Sequence, residues 1–142
     1  MERRQSLSGP MAAVTIQWRE NLVFEGGHPG RPSVTVDGDS KIATSPVELL
    51  LVAGATCTAA DVVDILKKMR VDLRSLDIDV QGMRREEHPR RFTAIHFLFR
   101  VAGSGADETK VRRAVDLSLE KYCSVMNSLA PDIQVGYDVA LE

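Results

Sequence analysis

The sequence predicts a single α+β domain in which hairpin-forming strands accompany one long apolar helix. Three observations carry that expectation. Stretches with apolar residues at every second position recur near both ends and in the middle of the chain. The run Leu49 to Ala60 has no charge and is apolar or small around its whole helical circumference. The element order, βββ-α-ββ-α-α-β, groups strands together instead of alternating them singly with helices, which favours hairpins over parallel βαβ units.

Val14 to Arg19 alternates and reads as a strand, which Leu22 to Phe24 continues after a bend. Gly26, Gly27, Pro29, Gly30 and Pro32 form a loop. Val34 to Val36 is a short strand closed by Asp37-Gly38, a hairpin-type turn. Ser45 to Arg70 is a helix. Ser45, Pro46 and Glu48 supply an N-cap, a first-turn proline and a capping-box glutamate, and Lys67, Lys68 and Arg70 suit the negative end of its dipole. After Asp61 this helix becomes amphipathic, with Val62, Val63, Ile65 and Leu66 against Asp61, Asp64, Lys67 and Lys68. Leu76, Ile78 and Val80 mark a half-exposed strand, and residues 84–91 form a charged turn. Phe92 to Val101 is a more apolar strand with Ile95, Phe97, Phe99 and Val101 on one face. Asp107 caps a helix reaching Tyr122 whose inner stripe is Val111, Ala114, Val115, Ser118 and Leu119. Cys123 to Leu129 reads as a short helix stopped by Pro131, and Ile133 to Leu141 alternates cleanly as the last strand.

The 142-residue length fits one domain over 13–142, and an apolar fraction of 44% allows a real core. Residues 1–12 read as a disordered leader. Met1 to Pro10 has no apolar stretch of a signal peptide, and Met11 is an alternative start. A net charge of −2 lacks the positive footprint of a nucleic-acid binder, so no nucleic acid is expected as partner. No apolar run reaches the ~18 residues of a transmembrane candidate, so no membrane is expected either. Two cysteines are too few for a disulfide-stapled secreted fold, and with His28, His88 and His96 they give no zinc-ligand spacing. No metal or cofactor is expected, and a cytoplasmic location is. One small sheet covers only one side of a helix that is apolar all round. The simplest remedy is a homodimer in which two such helices pack together.

Two segments carry a further signal. Ser45-Pro46-Val47-Glu48-Leu49-Leu50, leading to Ala55-Thr56-Cys57-Thr58, together with Glu120-Lys121-Tyr122-Cys123-Ser124-Val125, resembles the OsmC/Ohr family in its Ser-Pro-x-Glu-Leu branch. The resemblance runs in order from about residue 13. It implies an OsmC-like, intertwined homodimer with two antiparallel-rich sheets wrapped around two long central helices. It also implies a thiol peroxidase that reduces organic hydroperoxides. Cys57 would form a sulfenic acid, Cys123 would condense with it to a disulfide, and an external dithiol would reduce that disulfide. The family pattern places a glutamate directly after the helix-starting proline and an arginine about nine residues before it. Here Val47 follows Pro46, Glu48 comes one place later, and Asp37 stands where the arginine would fall. Arg19 and Arg31 are the alternative arginines, and slower turnover than in typical relatives is expected.

Read without the family, the residues leave alternatives open. A reactive cysteine needs an electropositive, accessible setting. Cys57 lies among Gly54, Ala55, Ala59 and Ala60 with no cation within a turn, and it serves equally well as a small core residue. Cys123 stands between two helices, where helix-starting amides favour a thiolate, yet it too fits a core role. Glu48 is a capping residue or a catalytic one. Nine helical residues put it nearly opposite Cys57 and ~13 Å along the axis, so it would act only on a partner subunit's site. Asp61 reads as a paired structural carboxylate, His96 as a strand-face residue, and Arg84, Arg85, Arg90 and Arg91 as a solvated hairpin tip. The competing functions are a non-enzymatic dimer that binds a small apolar ligand or senses oxidation at the cysteines, and a cysteine hydrolase, for which no histidine has a placed relation to either thiol.

Overall fold

The computed structural model describes residues 9–142. Residues 1–8 of the expected leader lie outside the described residues, and 9–14 reach the first strand without a regular element. The chain gathers into two compact units, one ending at Leu49 and the other running from Leu50 to Glu142.

The first unit is a three-stranded antiparallel sheet, β1 (Thr15–Glu20), β2 (Val23–Gly27) and β3 (Val34–Asp37), in sequential order. Its register pairs Trp18 with Phe24 and Phe24 with Val36, and Ile16 with Gly26 and Gly26 with Val34. Directly opposed residues share a face, so these six make one apolar side. Gln17, Glu25 and Thr35 make the polar side. The apolar side is open, with Ile16 61% and Trp18 65% exposed. Asp37-Gly38 does not close a hairpin onto another strand, as the sequence had suggested. The buried Asp37 carboxylate instead accepts hydrogen bonds from the N–H groups of Asp39 (2.8 Å), Lys41 (3.0 Å) and Ile42 (3.0 Å). That clamp shapes the loop into helix α1 (Pro46–Lys68). These amides, Ile42 and Asp39 foremost, hold the Asp37 pKa below the usual carboxylate value.

The second unit contains β4 (Asp72–Arg84), β5 (Phe92–Ser104) and β6 (Gln134–Leu141) in the order β4-β5-β6. β4 extends well beyond the expected 76–80 because its partner β5 is 13 residues long and pairs with it from Asp72 to Arg84. β6 lies parallel to β5, Ile95 opposite Val135 and Val101 opposite Leu141. A parallel pair needs a long crossover, and α2 (Glu108–Leu117), a π turn (Ser118–Tyr122) and α3 (Ser124–Asn127) provide it. The hairpin expectation therefore holds for three of the strand pairs and fails for the last.

The core of this unit is the predicted one. Phe97, Phe99 and Val101 of β5, Val62 and Leu66 of α1, and Val111, Ala114 and Val115 of α2 are fully buried. The chain alone buries only one face of α1, as expected of an all-round apolar helix beside one small sheet. Gly54, Ala55, Thr58, Val62 and Leu66 point inward, whereas Leu50, Val52 and Val63 are 38%, 47% and 44% exposed. By length and composition α1 is also long and apolar enough to cross a bilayer. Counting apolar runs missed this, because Asp61 and Asp64 interrupt the run without removing its apolar character.

Candidate thiol site

The inner face of α1 carries three anchor points at helical spacing, Gly54, Thr58 and Asp61, which i, i+4, i+7 geometry stacks in one row. The segment from Ser118 to Met126 lies along that row. Ser118 Oγ donates to Asp61 Oδ2 at 2.8 Å. Thr58 Oγ1 donates to Cys123 Sγ at 3.5 Å. Met126 Sδ covers Gly54 so closely that a Cβ there would lie 2.7 Å from it. The missing side chain at 54 thus lets α3 approach the helix.

The bend that brings Cys123 onto α1 is the π turn. The Cys123 N–H donates to Ser118 O at 2.7 Å, spanning five residues where an α-helix spans four. The wider ring ends α2 at Leu117, short of the expected Tyr122. Cys123 then leaves the helical region (φ −71°, ψ 102°) and becomes the N-cap of α3, with its sulfur accepting from Met126 N–H at 3.4 Å. Asn127 Nδ2 donates to the carbonyls of Cys123 (2.8 Å) and Leu119 (3.2 Å), tying the turn to the short helix.

Both cysteines are free thiols, and Cys57 is near enough to the Cys123 thiol to help raise its pKa. Their environments differ. Cys57 is half-buried on the flank of α1, and Cys123 is fully buried. Burial pushes the Cys123 thiol pKa up, outweighing the bonds from Thr58 and Met126 that pull it down, and the neighbouring Cys57 adds to the rise. The sequence-based view that helix-starting amides would favour a thiolate at Cys123 is right about the contact and wrong about the balance. One amide donor does not offset complete desolvation.

The remaining sequence candidates have defined places. Glu48 completes the capping box: its Oε1 accepts from Ser45 N–H (3.0 Å) and Ser40 Oγ (2.7 Å), while Ser45 Oγ accepts from Glu48 N–H (3.2 Å). The Ser45 amide first, then the Ser40 hydroxyl, hold the Glu48 pKa below its usual value. Arg19 is ion-paired with Glu25, which Ser33 also contacts. Arg31 has no ion pair among the described residues and borders a depression of about 250 Å³ on the first unit, with Arg19, His28 and Glu25. His96 is an exposed strand residue bonded to Asp138 at 3.0 Å. At the charged tip, Arg85 pairs with Glu87, and Arg91 pairs with Asp132.

Thr58, Ser118, Met126 and Gly54 were not singled out as site residues in the sequence. The spacing of Gly54, Thr58 and Asp61 was the available signal, but the π turn that aligns their partners has no residue signature.

The OsmC-like protein family model matches residues 37–138 of this chain. The protein YhfA of Escherichia coli K12 is 42% identical over 127 residues, covering 87% of this chain and 95% of YhfA. A hypothetical protein from Aquifex aeolicus has a crystal structure that is 30% identical over 92% of this chain and 96% of its own, with a TM-score of 0.79. The organic hydroperoxide resistance protein OhrB of Bacillus subtilis shares the fold at 18% identity, over 93% and 98% of the two chains, with a TM-score of 0.57.

Proposed function

The chain belongs to the OsmC-like family, and on that premise we propose that it reduces organic hydroperoxides through a cycle of Cys57 and Cys123. The observation that carries this reading is the meeting of two free thiols from distant parts of the chain in one site, one partly accessible and one buried.

That difference in access supports the division of roles. Cys57 is the thiol a peroxide can reach. Its thiolate attacks the O–O bond, an S–O bond forms, the O–O bond breaks, and the alcohol leaves with a proton. Cys57 is then a sulfenic acid. Cys123, shielded from solvent, attacks the Cys57 sulfur. An S–S bond forms, the S–O bond breaks, and the departing hydroxide takes the Cys123 proton as water. An external dithiol returns both cysteines to thiols by exchange and is itself oxidised to a disulfide. Each turnover consumes one hydroperoxide and one dithiol and gives one alcohol, one water and one oxidised dithiol.

The active form is a homodimer. Val52, Thr56, Ala60 and Val63 give α1 an exposed, small and apolar face, and the sheet of the first unit has an uncovered apolar side. A second copy of the chain covers such surfaces without leaving polar groups unpaired. In that arrangement Glu48 is the helix cap. Arg31, which has no ion pair among the described residues, is the better candidate than Arg19 to serve the thiolate.

A second reading, a dimer that binds a small apolar ligand or senses oxidation without turnover, draws on one observation. Asp37, at the position of the family's arginine, is committed to three backbone amides and cannot stabilise an anion. Hydroperoxide consumption with a dithiol, in the wild type and in Cys57→Ser, separates the two. Consumption that disappears in the variant supports the peroxidase. Oxidation of Cys57 without turnover supports the sensor.

A further inference from the structure

A threonine inside a helix ordinarily folds its hydroxyl back onto a carbonyl one turn earlier. Thr56 does so, donating to Val52 O at 2.8 Å and Ala53 O at 3.2 Å. Thr58, two residues on and fully buried, instead directs its hydroxyl out of the helix to Cys123 Sγ at 3.5 Å. A buried hydroxyl is costly unless it is bonded, and valine would fill the same space without that cost. The hydroxyl of Thr58 therefore serves the sulfur. It acts beside the Met126 amide, which reaches the same atom at 3.4 Å. Two donors on one sulfur hold it in place, and Cys57, the residue next to Thr58 in the chain, is near enough to influence its titration.

We propose that Thr58 is the positioning residue for Cys123, its buried hydroxyl holding the sulfur against Cys57 and stabilising the negative charge that Cys123 develops as it attacks. The proposal deepens the peroxidase reading and rests on it for the identity of that step. As Cys123 attacks and its proton passes to the sulfenic oxygen, which leaves as water, its sulfur carries developing negative charge and the bond from Thr58 strengthens. When the disulfide forms, the charge is gone and the bond weakens. The donor thus favours the attacking state over both neighbouring states, which is the requirement for accelerating a step. Burial raises the Cys123 thiol pKa, and without the hydroxyl the thiolate would be rarer still.

Two measurements test this, and they fail independently. In a Cys57→Ser background, Cys123 is the only thiol. Its titration, followed by thiolate absorbance and by alkylation rate, should move upward by about one pH unit in Thr58→Val and return in Thr58→Ser. Thr58→Ala gives the same comparison should the valine variant fail to fold. With both cysteines present, one equivalent of tert-butyl hydroperoxide should oxidise Cys57 at the wild-type rate in Thr58→Val. Trapping with dimedone reads that step. Disulfide formation should then be about tenfold slower. An unmoved Cys123 titration overturns the proposal, as does a disulfide rate that is unchanged in a variant with normal Cys57 oxidation. A shifted titration in a protein whose Cys57 is never oxidised leaves Thr58 in control of Cys123 and removes only the peroxidase reading.

Discussion

Ser118→Ala is the perturbation that most directly probes how the site is built. Ser118 is fully buried; its hydroxyl bonds Asp61 at 2.8 Å, and its carbonyl receives the Cys123 N–H that closes the π turn. The substitution removes one oxygen and leaves the backbone bond in place. A hydrogen bond to a charged group contributes about 1.5–3 kcal/mol. Asp61 is only half-buried, and water replaces part of the loss, so the expected destabilisation is about 1–2 kcal/mol. For a chain of this length that lowers Tm by roughly 3–6 °C. The assay is thermal and urea unfolding of the reduced protein at one fixed concentration, since the proposed dimerisation would make apparent stability concentration-dependent. A cycle with Asp61→Ala isolates the pair and should show a coupling of about 1 kcal/mol. Disulfide formation after one equivalent of hydroperoxide should also slow, because the segment bearing Cys123 loses an anchor on α1. Additive single substitutions together with an unchanged disulfide rate would refute the claim that this bond holds the thiol segment in register.

Three further outcomes follow from particular contacts. Gly103→Ala should cost about 2–3 kcal/mol in urea unfolding, because the added Cβ would lie 2.5 Å from Asp72 O and 3.0 Å from Leu73 Cα, backbone atoms that cannot rotate away. Asp37→Arg, which puts the family's arginine back in sequence, should lower stability without raising hydroperoxide consumption, since it removes the acceptor of three loop amides; a gain in rate would show that the loop tolerates the exchange. The raised Cys123 pKa makes stability depend on alkaline pH. The native state keeps a proton that the unfolded chain loses near its ordinary thiol value of about 8.5. The contribution is therefore complete below that pH and is lost as pH rises through the higher native value. The stability difference between wild type and Cys123→Ala should shrink over that window, and a difference independent of pH would argue against the buried thiol.

Local patterns in the sequence determined much of this protein, and for local reasons. Two-residue alternation marked Ile95, Phe97, Phe99 and Val101 as one inward face, and all four are buried. Ser45 and Glu48 announced the capping box, which forms with both reciprocal bonds, because a cap depends on four consecutive residues and little else. Asp61 was legible as a carboxylate in need of a partner. Tertiary structure decided the rest. The parallel seating of β6 beside β5 depends on how a crossover packs over the sheet, and the alternation in β6 reads the same in either direction. The role of Asp37 depends on a loop folding back over its carboxylate. The contact of Cys123 with Thr58 depends on a π turn, one residue wider than a helical turn, whose closing bond is made by backbone atoms common to every residue. Side-chain periodicity reports which face of an element is apolar. It does not report which residue of a distant segment arrives there, because that is set by contacts between elements far apart in the chain.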